Sequence, residues 1–281
     1  LVDADRLVIG VFDAGPRGTT WQTEVVEPAA ALMEEAAAGI YDHIFSGKLP
    51  RRGDFRSKTI GNSMGGGQES PCAFFHIVLN RIVLAGLLAT EPFRRLAGHT
   101  DVIFQAYAPD LHQYYANTLD RLHRWNKTLK RNFLPTVSVF AAATFNFGPT
   151  TVTLPHLDFV NLAWGWCAVT ALGHFDPDRG GHLILWDLKL IIRFPPGSTI
   201  FLPSALIRHS NVSIQQGEQR FSFTQFTAAG IFRFVDNGFC TEREVDETPM
   251  SAAEKLVRVE ARKARWVEGL KMYKRWDRTF E

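Results

Sequence analysis

A tract of short alternating segments, between about residues 135 and 240, constrains the fold of this chain more than any other feature. Residues 220–226 place polar and aromatic side chains on alternate positions, as do residues 144–147, and residues 198–202 form an apolar run after a Pro-Pro-Gly turn. Several short strands separated by glycine and proline turns are typical of a double-stranded β-helix, a jelly roll with an open mouth.

Helical patterns lie on both sides of this tract. Residues 24–130 contain three predicted helices, at 27–45, 73–96 and 101–125, and a glycine-rich loop at 47–71. Residues 250–276 predict a C-terminal helix, since Ser251 and Glu254 have the spacing of a capping box. We therefore expect an α+β fold in which the N-terminal helices buttress a jelly-roll core.

Composition is that of an ordinary folded chain. Of the 281 residues, 46% are hydrophobic and 21% are charged, which is enough for a buried core, and the net charge of +2 says little about partners. Three scattered cysteines exclude a disulfide framework or a zinc cluster and fit a reducing compartment. The longest apolar run is interrupted by Asn80 and Arg81, so no membrane association is expected. The chain begins at Leu1 without a signal-peptide pattern, and we interpret it as an excised domain.

Four residues of the alternating tract have the types and order of a metal and anion site. His156 and Asp158 are two positions apart, so a strand would place both on one face, and His209 follows 53 positions later. Two imidazoles and one carboxylate are the preferred ligand set of non-heme Fe(II) oxygenases. Arg220 is suited to hold the distal carboxylate of 2-oxoglutarate by a bidentate charged pair. These residues predict an Fe(II)/2-oxoglutarate dioxygenase, with residues 1–281 as a single catalytic domain.

Two further polar residues belong to the predicted cosubstrate site. Ser222 is on the same strand face as Arg220 and is expected to be a second donor to the far carboxylate. Asn146, on a preceding strand, could donate to the cosubstrate or be a structural amide. O2 is expected at the last metal position, and ascorbate is expected to act as the reductant.

A series of motifs strengthens the prediction. They are HLDFVN (156–161), GWCAVTALG (165–173), FDP (175–177), GGHL (180–183), FPPGS (194–198) and HSN (209–211). Together they resemble the fungal branch of the TET/JBP dioxygenases, over about residues 135–240 and more loosely over 51–71. The resemblance implies Fe(II), 2-oxoglutarate and a methylated base flipped out of double-stranded DNA. We accordingly expect a monomer in the nucleus.

The resemblance also implies roles around the flipped base. Asn161 would read the base and Phe226 would stack on it. Members that act on 5-methylcytosine carry a histidine where this chain has Ala228, and with Gly230 nearby we expect a pocket wide enough for a purine. Asp236 could accept from the exocyclic amine of cytosine or of N6-methyladenine, or be a turn residue. Both bases therefore stay open as substrates.

Basic residues and glycines within residues 47–71 predict contact with DNA, because glycine amides can approach phosphates closely. The residues expected at the DNA are Arg51, Arg52, Ser63, Gly65, Gly66, Gly67 and Gln68. The alternative is a surface loop with solvated charges. Two more basic stretches, at 121–131 and 258–265, are more typical of solvated helix faces.

Two other functions fit the same residues. A 2-oxoglutarate-dependent hydroxylase of proteins or small molecules would share all four key residues, whereas a catalytically inactive DNA-binding module would not need to keep them. The basic glycine-rich loop, Phe226 and Asn161 favour oxidation of a DNA base.

Overall fold

The computed structural model describes residues 1–16, 20–41 and 53–276. In these ranges the strands are β1 (Val11–Asp13), β2 (Arg56–Ser63), β3 (Cys72–Ala73), β4 (Ala142–Phe147), β5 (Cys167–His174), β6 (Leu183–Leu185), β7 (Leu190–Ile192), β8 (Thr199–Leu202), β9 (His209–Asn211) and β10 (Gln219–Phe226). The α-helices are α1 (Glu27–Gly39), α2 (Val78–Ala89), α3 (Glu91–Tyr107), α4 (Pro109–Trp125), α5 (Ala229–Asp236), α6 (Glu242–Glu247) and α7 (Ala252–Leu270). Within these ranges, no helix combines the length and the hydropathy that crossing a membrane requires.

Two antiparallel sheets form the core of the fold. The large sheet has the order β1-β8-β5-β10-β4-β2-β3 and the small sheet has the order β7-β6-β9. An isolated antiparallel bridge adds His156 to the free side of β9. From β4 onwards the chain passes back and forth between the sheets, which is the winding of a double-stranded β-helix. The predicted α+β fold with a jelly-roll core is therefore confirmed.

The side chains of β10 alternate between two faces, so the helices pack on one face and the site lies on the other. Phe221 and Phe223 are buried against the helical layer, in a cluster that includes Phe93 of α3 and Phe145 of β4. The Phe93 ring packs edge-on against Phe145 and Phe223 at centroid distances of 5.0 and 5.2 Å. Each such pair contributes about 0.5–1.5 kcal/mol beyond area burial. The opposite face of β10 is left to line the interior of the jelly roll.

The N-terminal region differs from the sequence prediction at three places. The predicted helix over 73–96 is wrong, because β3, α2 and the start of α3 share that run. Pro92 lies in the first turn of α3, where its missing N–H is tolerated, and so marks a new helix. The predicted helix over 101–125 is likewise divided, between α3 and α4 at Ala108. The predicted loop over 47–71 contains β2, which pairs with both β4 and β3.

The C-terminal helix begins as the sequence predicts. The Ser251 hydroxyl accepts from the Glu254 amide, and the Glu254 carboxylate accepts in return from the Ser251 amide. Near its end, Gly269 packs against the indole of Trp164, where a Cβ would lie 2.3 Å from the ring. Because only glycine permits this approach, Gly269 fixes the end of α7 against the core.

Candidate active site

The small sheet brings the three predicted metal ligands together. His156 and His209 bond to each other through their backbones, with N···O distances of 3.1 and 3.0 Å, and their ring centroids are 4.4 Å apart. A carboxylate oxygen of Asp158 lies 3.9 Å from Nε2 of each histidine. An ion that bonds to each donor atom at about 2.1 Å can bridge donor atoms that are up to about 4 Å apart.

Backbone carbonyls orient both imidazoles. Nδ1 of His156 lies 2.7 Å from the Leu154 carbonyl oxygen, and Nδ1 of His209 lies 2.9 Å from the Ile207 carbonyl oxygen. Because a carbonyl oxygen only accepts, Nδ1 carries the proton in each ring, and Nε2 carries the lone pair that can bind an ion. This is the orientation that metal-binding histidines receive from their outer hydrogen bonds.

The donor set fits Fe(II). Two neutral imidazoles and one carboxylate leave other coordination positions open to a cosubstrate and to O2, as in non-heme iron oxygenases. Asp158 is 6% exposed and His209 is 7% exposed, so the donors lie within the mouth of the jelly roll. In the described part of the chain, this is the one group of three such side chains close enough to share an ion.

Arg220 is a buried cation that faces the same interior. Its side chain is 3% exposed, Nη1 donates to the Thr151 carbonyl at 2.9 Å, and the buried Nε has no hydrogen-bond partner. The guanidinium also lies 5.9 Å from the ring centroid of Phe175. Burial lowers its pKa to about 10. No carboxylate among the described residues pairs with it, so the site fits an anionic ligand.

Ser222 and Asn146 lie beside Arg220 on adjacent strands. They are register partners across β10 and β4, and the Asn146 amide donates to the Ser222 hydroxyl at 2.9 Å. The Ser222 proton is therefore available to an acceptor in the cavity. Both residues line the same small cavity as His156, His209 and Arg220. The structure thus brings the expected cosubstrate residues to the expected metal ligands.

A second cavity, of about 450 Å³, opens beyond Asp158. Phe226 and Asn161 line it, as the sequence led us to expect for residues that touch a base. Asn161 is 8% exposed, and its Nδ2 donates to the Ser204 hydroxyl at 2.9 Å. Its buried Oδ1 has no partner. Asn161 therefore borders the cavity and carries a buried acceptor that no described residue satisfies.

Ala228 and Gly230 do not line this cavity, so the expectation that they widen it needs correction. Ala228 is fully buried, at 0% exposed. A Cβ added to Gly230 would lie 2.2 Å from the Met64 carbonyl oxygen. Met64, by contrast, lines the cavity. Gly230 therefore permits close packing of α5 against the strand that precedes the glycine-rich turn.

The structure also does not bring Asp236 to the cavity. Asp236 is the last residue of α5, where it accepts from the Tyr114 hydroxyl at 2.6 Å and lies 3.7 Å from Arg121. Burial and then the nearby Asp236 charge raise the pKa of Tyr114. These contacts join α5 to α4, because both partners of Asp236 belong to α4.

The glycine-rich turn joins β2 to β3 at the rim of the cavity. Ser63, Gly65 and Gln68 line the cavity, and the Gly65 amide donates to the Gln68 side chain at 2.8 Å. Gly66 and Gly67 have φ of +60° and +89° and face open space. Their amides are therefore exposed at the tip of a hairpin. Arg51 and Arg52 lie outside the described residues.

Sequence reasoning missed a row of hydroxyls on the cavity floor. Thr59, Thr144 and Thr224 are register partners across β2, β4 and β10, and all three line the cavity. The Thr59 and Thr144 hydroxyl oxygens are 2.7 Å apart. Phe55 was also missed, although it lines both this cavity and the one beside the metal ligands. The available signal was the period-two spacing of Phe55, Ser57 and Thr59 inside the predicted loop.

The similarities of this chain to known proteins are structural. No protein-family model matches the chain, and no curated protein matches it. Similar solved structures include NgTET1 in complex with 5mC DNA, at 14% identity and a TM-score of 0.45 over 79% of this chain and 72% of that one. An oxidoreductase of the 2OG-Fe(II) oxygenase family from Burkholderia pseudomallei has 16% identity and a TM-score of 0.40, covering 78% of this chain and 84% of its own. OsALKBH1 has 12% identity and a TM-score of 0.41, covering 81% and 100%. Because these TM-scores are below 0.5, they carry no functional argument, and the function of this protein is inferred from its own geometry.

Proposed function

We propose that this protein is an Fe(II)/2-oxoglutarate-dependent dioxygenase. The observation that carries the proposal is Arg220, a buried guanidinium without a carboxylate partner in the described part of the chain, in the cavity that also holds His156 and His209. An unpaired buried cation is costly unless a ligand compensates it. A dicarboxylate that reaches from the metal to Arg220 supplies that compensation.

Different residues of this chain would bind the metal and the cosubstrate. His156, Asp158 and His209 would hold Fe(II), with the imidazole orientation set by the Leu154 and Ile207 carbonyls. Arg220 would bind the distal carboxylate of 2-oxoglutarate, with the Ser222 hydroxyl as a second donor. When bound, iron, 2-oxoglutarate and O2 supply the oxidation of a C–H bond, and ascorbate serves as reductant.

We further propose that the substrate is a methylated base of double-stranded DNA, flipped into the second cavity. Phe226 offers an aromatic face to a planar ring, and the amide of Asn161, which also lines the cavity, is of a type that can hydrogen-bond an exocyclic amine. Both 5-methylcytosine and N6-methyladenine carry such an amine. Their oxidation would give hydroxymethyl-, formyl- and carboxylcytosine, or an adenine without its methyl group. The exposed amides of Gly66 and Gly67 at the hairpin tip suit phosphate contacts, and a DNA substrate also implies a nuclear location.

Nucleoside mass spectrometry tests the proposal. The protein is incubated with Fe(II), ascorbate and 2-oxoglutarate on duplexes that carry either 5-methylcytosine or N6-methyladenine. Oxidised cytosines, or loss of the adenine methyl group, are the expected result. Consumption of 2-oxoglutarate with both duplexes unchanged would instead indicate a hydroxylase of proteins or small molecules.

A matched pair of variants locates the substrate. Phe226→Leu keeps an apolar side chain but removes the ring, and base–aromatic stacking of about 1–3 kcal/mol predicts a loss of roughly 5- to 150-fold in base oxidation. Trp266→Leu, at a half-exposed position of α7, is the control and should retain activity. Equal activity of the two variants would show that the base does not lie against Phe226.

A further inference from the structure

A basic groove lies on the side of the hairpin opposite the proposed substrate cavity. Two connected cavities, of about 420 and 460 Å³, share Leu88, Ala89, Arg131 and Asn132. Their walls are α2, the start of α3 and the segment around residues 130–137, and their floor includes Ile60 of β2. We call these two connected cavities the α2 groove.

Four cations line the α2 groove. They are Arg81, Arg94, Lys130 and Arg131. Arg131 pairs with Asp120 on α4. Arg81, Arg94 and Lys130 are exposed, and no carboxylate within the described ranges pairs with any of them. Among the described residues, the groove therefore has an excess of positive charge.

The arginines of α7 and Arg121 of α4 are held by contacts within the protein, which sets them apart from the α2 groove. On α7, the side chains of Arg258, Arg262 and Arg265 all bond to Glu242 of α6. On α4, Arg121 donates to the Val235 carbonyl and lies near Asp236. Cations held in this way have few donors left for an external anion, whereas no carboxylate among the described residues pairs with Arg81, Arg94 or Lys130.

The position of the α2 groove connects it to the proposed substrate cavity. Phe74, which follows the edge strand β3, lines both the groove and the substrate cavity. Its backbone amide bonds to the Gly61 carbonyl of β2 at 3.0 Å, so the hairpin forms the wall between the two. A duplex that delivers a base over the hairpin tip would continue across this edge of the sheet.

We propose that the α2 groove binds the sugar–phosphate backbone of duplex DNA next to the flipped base. The proposal rests on the proposed function, because it takes DNA as the partner. Arg81, Arg94 and Lys130 supply the phosphate contacts. The apolar floor at Ile60, Leu88 and Ala89 packs against sugar carbons. These contacts carry no base specificity and act on methylated and unmethylated duplexes alike.

Salt dependence of binding tests the groove directly. We would measure duplex binding by fluorescence anisotropy without iron, between about 0.05 and 0.2 M salt, for the wild type and for Arg81→Gln/Lys130→Gln. The slope of log K against log salt is negative, and each lost phosphate contact makes it less steep by about 0.9. The slope of the double variant should therefore be less steep than that of the wild type by about 1.8. The same relation predicts binding about 60-fold weaker at 0.1 M salt, equally for methylated and unmethylated duplexes.

The control is Lys255→Gln/Lys263→Gln on α7, which removes the same charge from exposed positions away from the groove. It should keep the wild-type slope. A wild type that binds duplex DNA, with an unchanged slope in the Arg81/Lys130 variant, would overturn the groove and leave the proposed function standing. A slope lowered equally in both double variants would show a general charge effect and would also overturn it. A wild type that binds no duplex would overturn both proposals.

Discussion

Replacing Arg220 by methionine should change stability and cosubstrate binding in opposite directions. Methionine keeps an unbranched side chain in the cavity and removes the guanidinium. Without cosubstrate, the only protein acceptor of the Arg220 side chain among the described residues is the Thr151 carbonyl. That carbonyl also accepts from the Asn211 amide at 3.2 Å, so the substitution does not leave it unpaired.

The stability change follows from burial. Burial moves the pKa of Arg220 from its ordinary 12.5 to about 10. At about 1.4 kcal/mol per unit, the folded protein is about 3 kcal/mol less stable than it would be without this charge. Because the folded pKa is the lower one, this cost is complete at neutral pH and disappears only as pH rises from about 10 to 12.5. Loss of the bond to Thr151 offsets about 1 kcal/mol, so Arg220→Met should be about 2 kcal/mol more stable without cosubstrate.

Cosubstrate binding should cancel this advantage. Two charge-assisted hydrogen bonds to the distal carboxylate contribute at least about 3 kcal/mol, so the variant should bind 2-oxoglutarate about 150-fold more weakly. At a 2-oxoglutarate concentration of 100 times the wild-type Kd, the wild type gains about 2.7 kcal/mol and the variant about 0.3 kcal/mol. The two proteins should then have nearly equal stability.

Urea unfolding with and without 2-oxoglutarate, under anaerobic conditions with Fe(II), measures both effects. Arg193→Met is the matched control, since Arg193 is exposed and pairs with Asp178. It should change stability by at most about 1 kcal/mol and leave the response to 2-oxoglutarate unchanged. An Arg220→Met variant that is less stable than the wild type and equally responsive to 2-oxoglutarate would refute the reasoning.

Three other perturbations follow from the structure. Asp158→Ala should abolish 2-oxoglutarate turnover and iron binding in an anaerobic titration while the melting temperature stays within a few degrees; retained iron binding would contradict the ligand assignment. Gly230→Ala should cost about 1–3 kcal/mol in urea unfolding, because its Cβ would meet the Met64 carbonyl, whereas Gly65→Ala faces open space and should fold normally. For Glu242, desolvation acts to raise the pKa, but hydrogen bonds from the α7 arginines outweigh it and hold the pKa at about 2. Its stabilising contribution is therefore present above pH 4.5 and should be lost as pH falls towards 2. Urea unfolding at pH 6 and pH 3 should show a larger loss of stability in the wild type than in Glu242→Gln, in which only the other carboxylates respond.

Local alternation explains which parts of the fold could be predicted from the sequence. In β4 and β10, one face is apolar against the helices and the other is polar towards the cavity, so the period of two is visible in the chain itself. The same alternation predicts that Ser222 and Arg220 share a face. β2 was missed because its glycine and basic residues are typical of loops, and its partners β3 and β4 supply the ladder that makes it a strand.

The expectations for Gly230 and Asp236 failed for a different reason, because long-range packing sets their surroundings. The space beside Gly230 depends on the Met64 carbonyl, and the position of Asp236 depends on Tyr114, which is 122 positions away in the chain. Neither contact leaves a periodic signal. The continuous apolar run over 73–96 also concealed the start of α3, although Pro92 was the available marker.

The inward face of β10 fixes the spacing between the side chains of the two cavities. Arg220, Ser222, Thr224 and Phe226 succeed one another along it, the first three at the small cavity beside His156 and His209 and the last two at the second cavity. At about 3.4 Å per residue, about 20 Å separates the first backbone position from the last. Insertion of one residue after Ser222 would turn Phe226 to the helical side while leaving Arg220 in place. Exchange of side chains along this strand can therefore alter one cavity alone, whereas a change in the length of the strand would break the register between the two cavities.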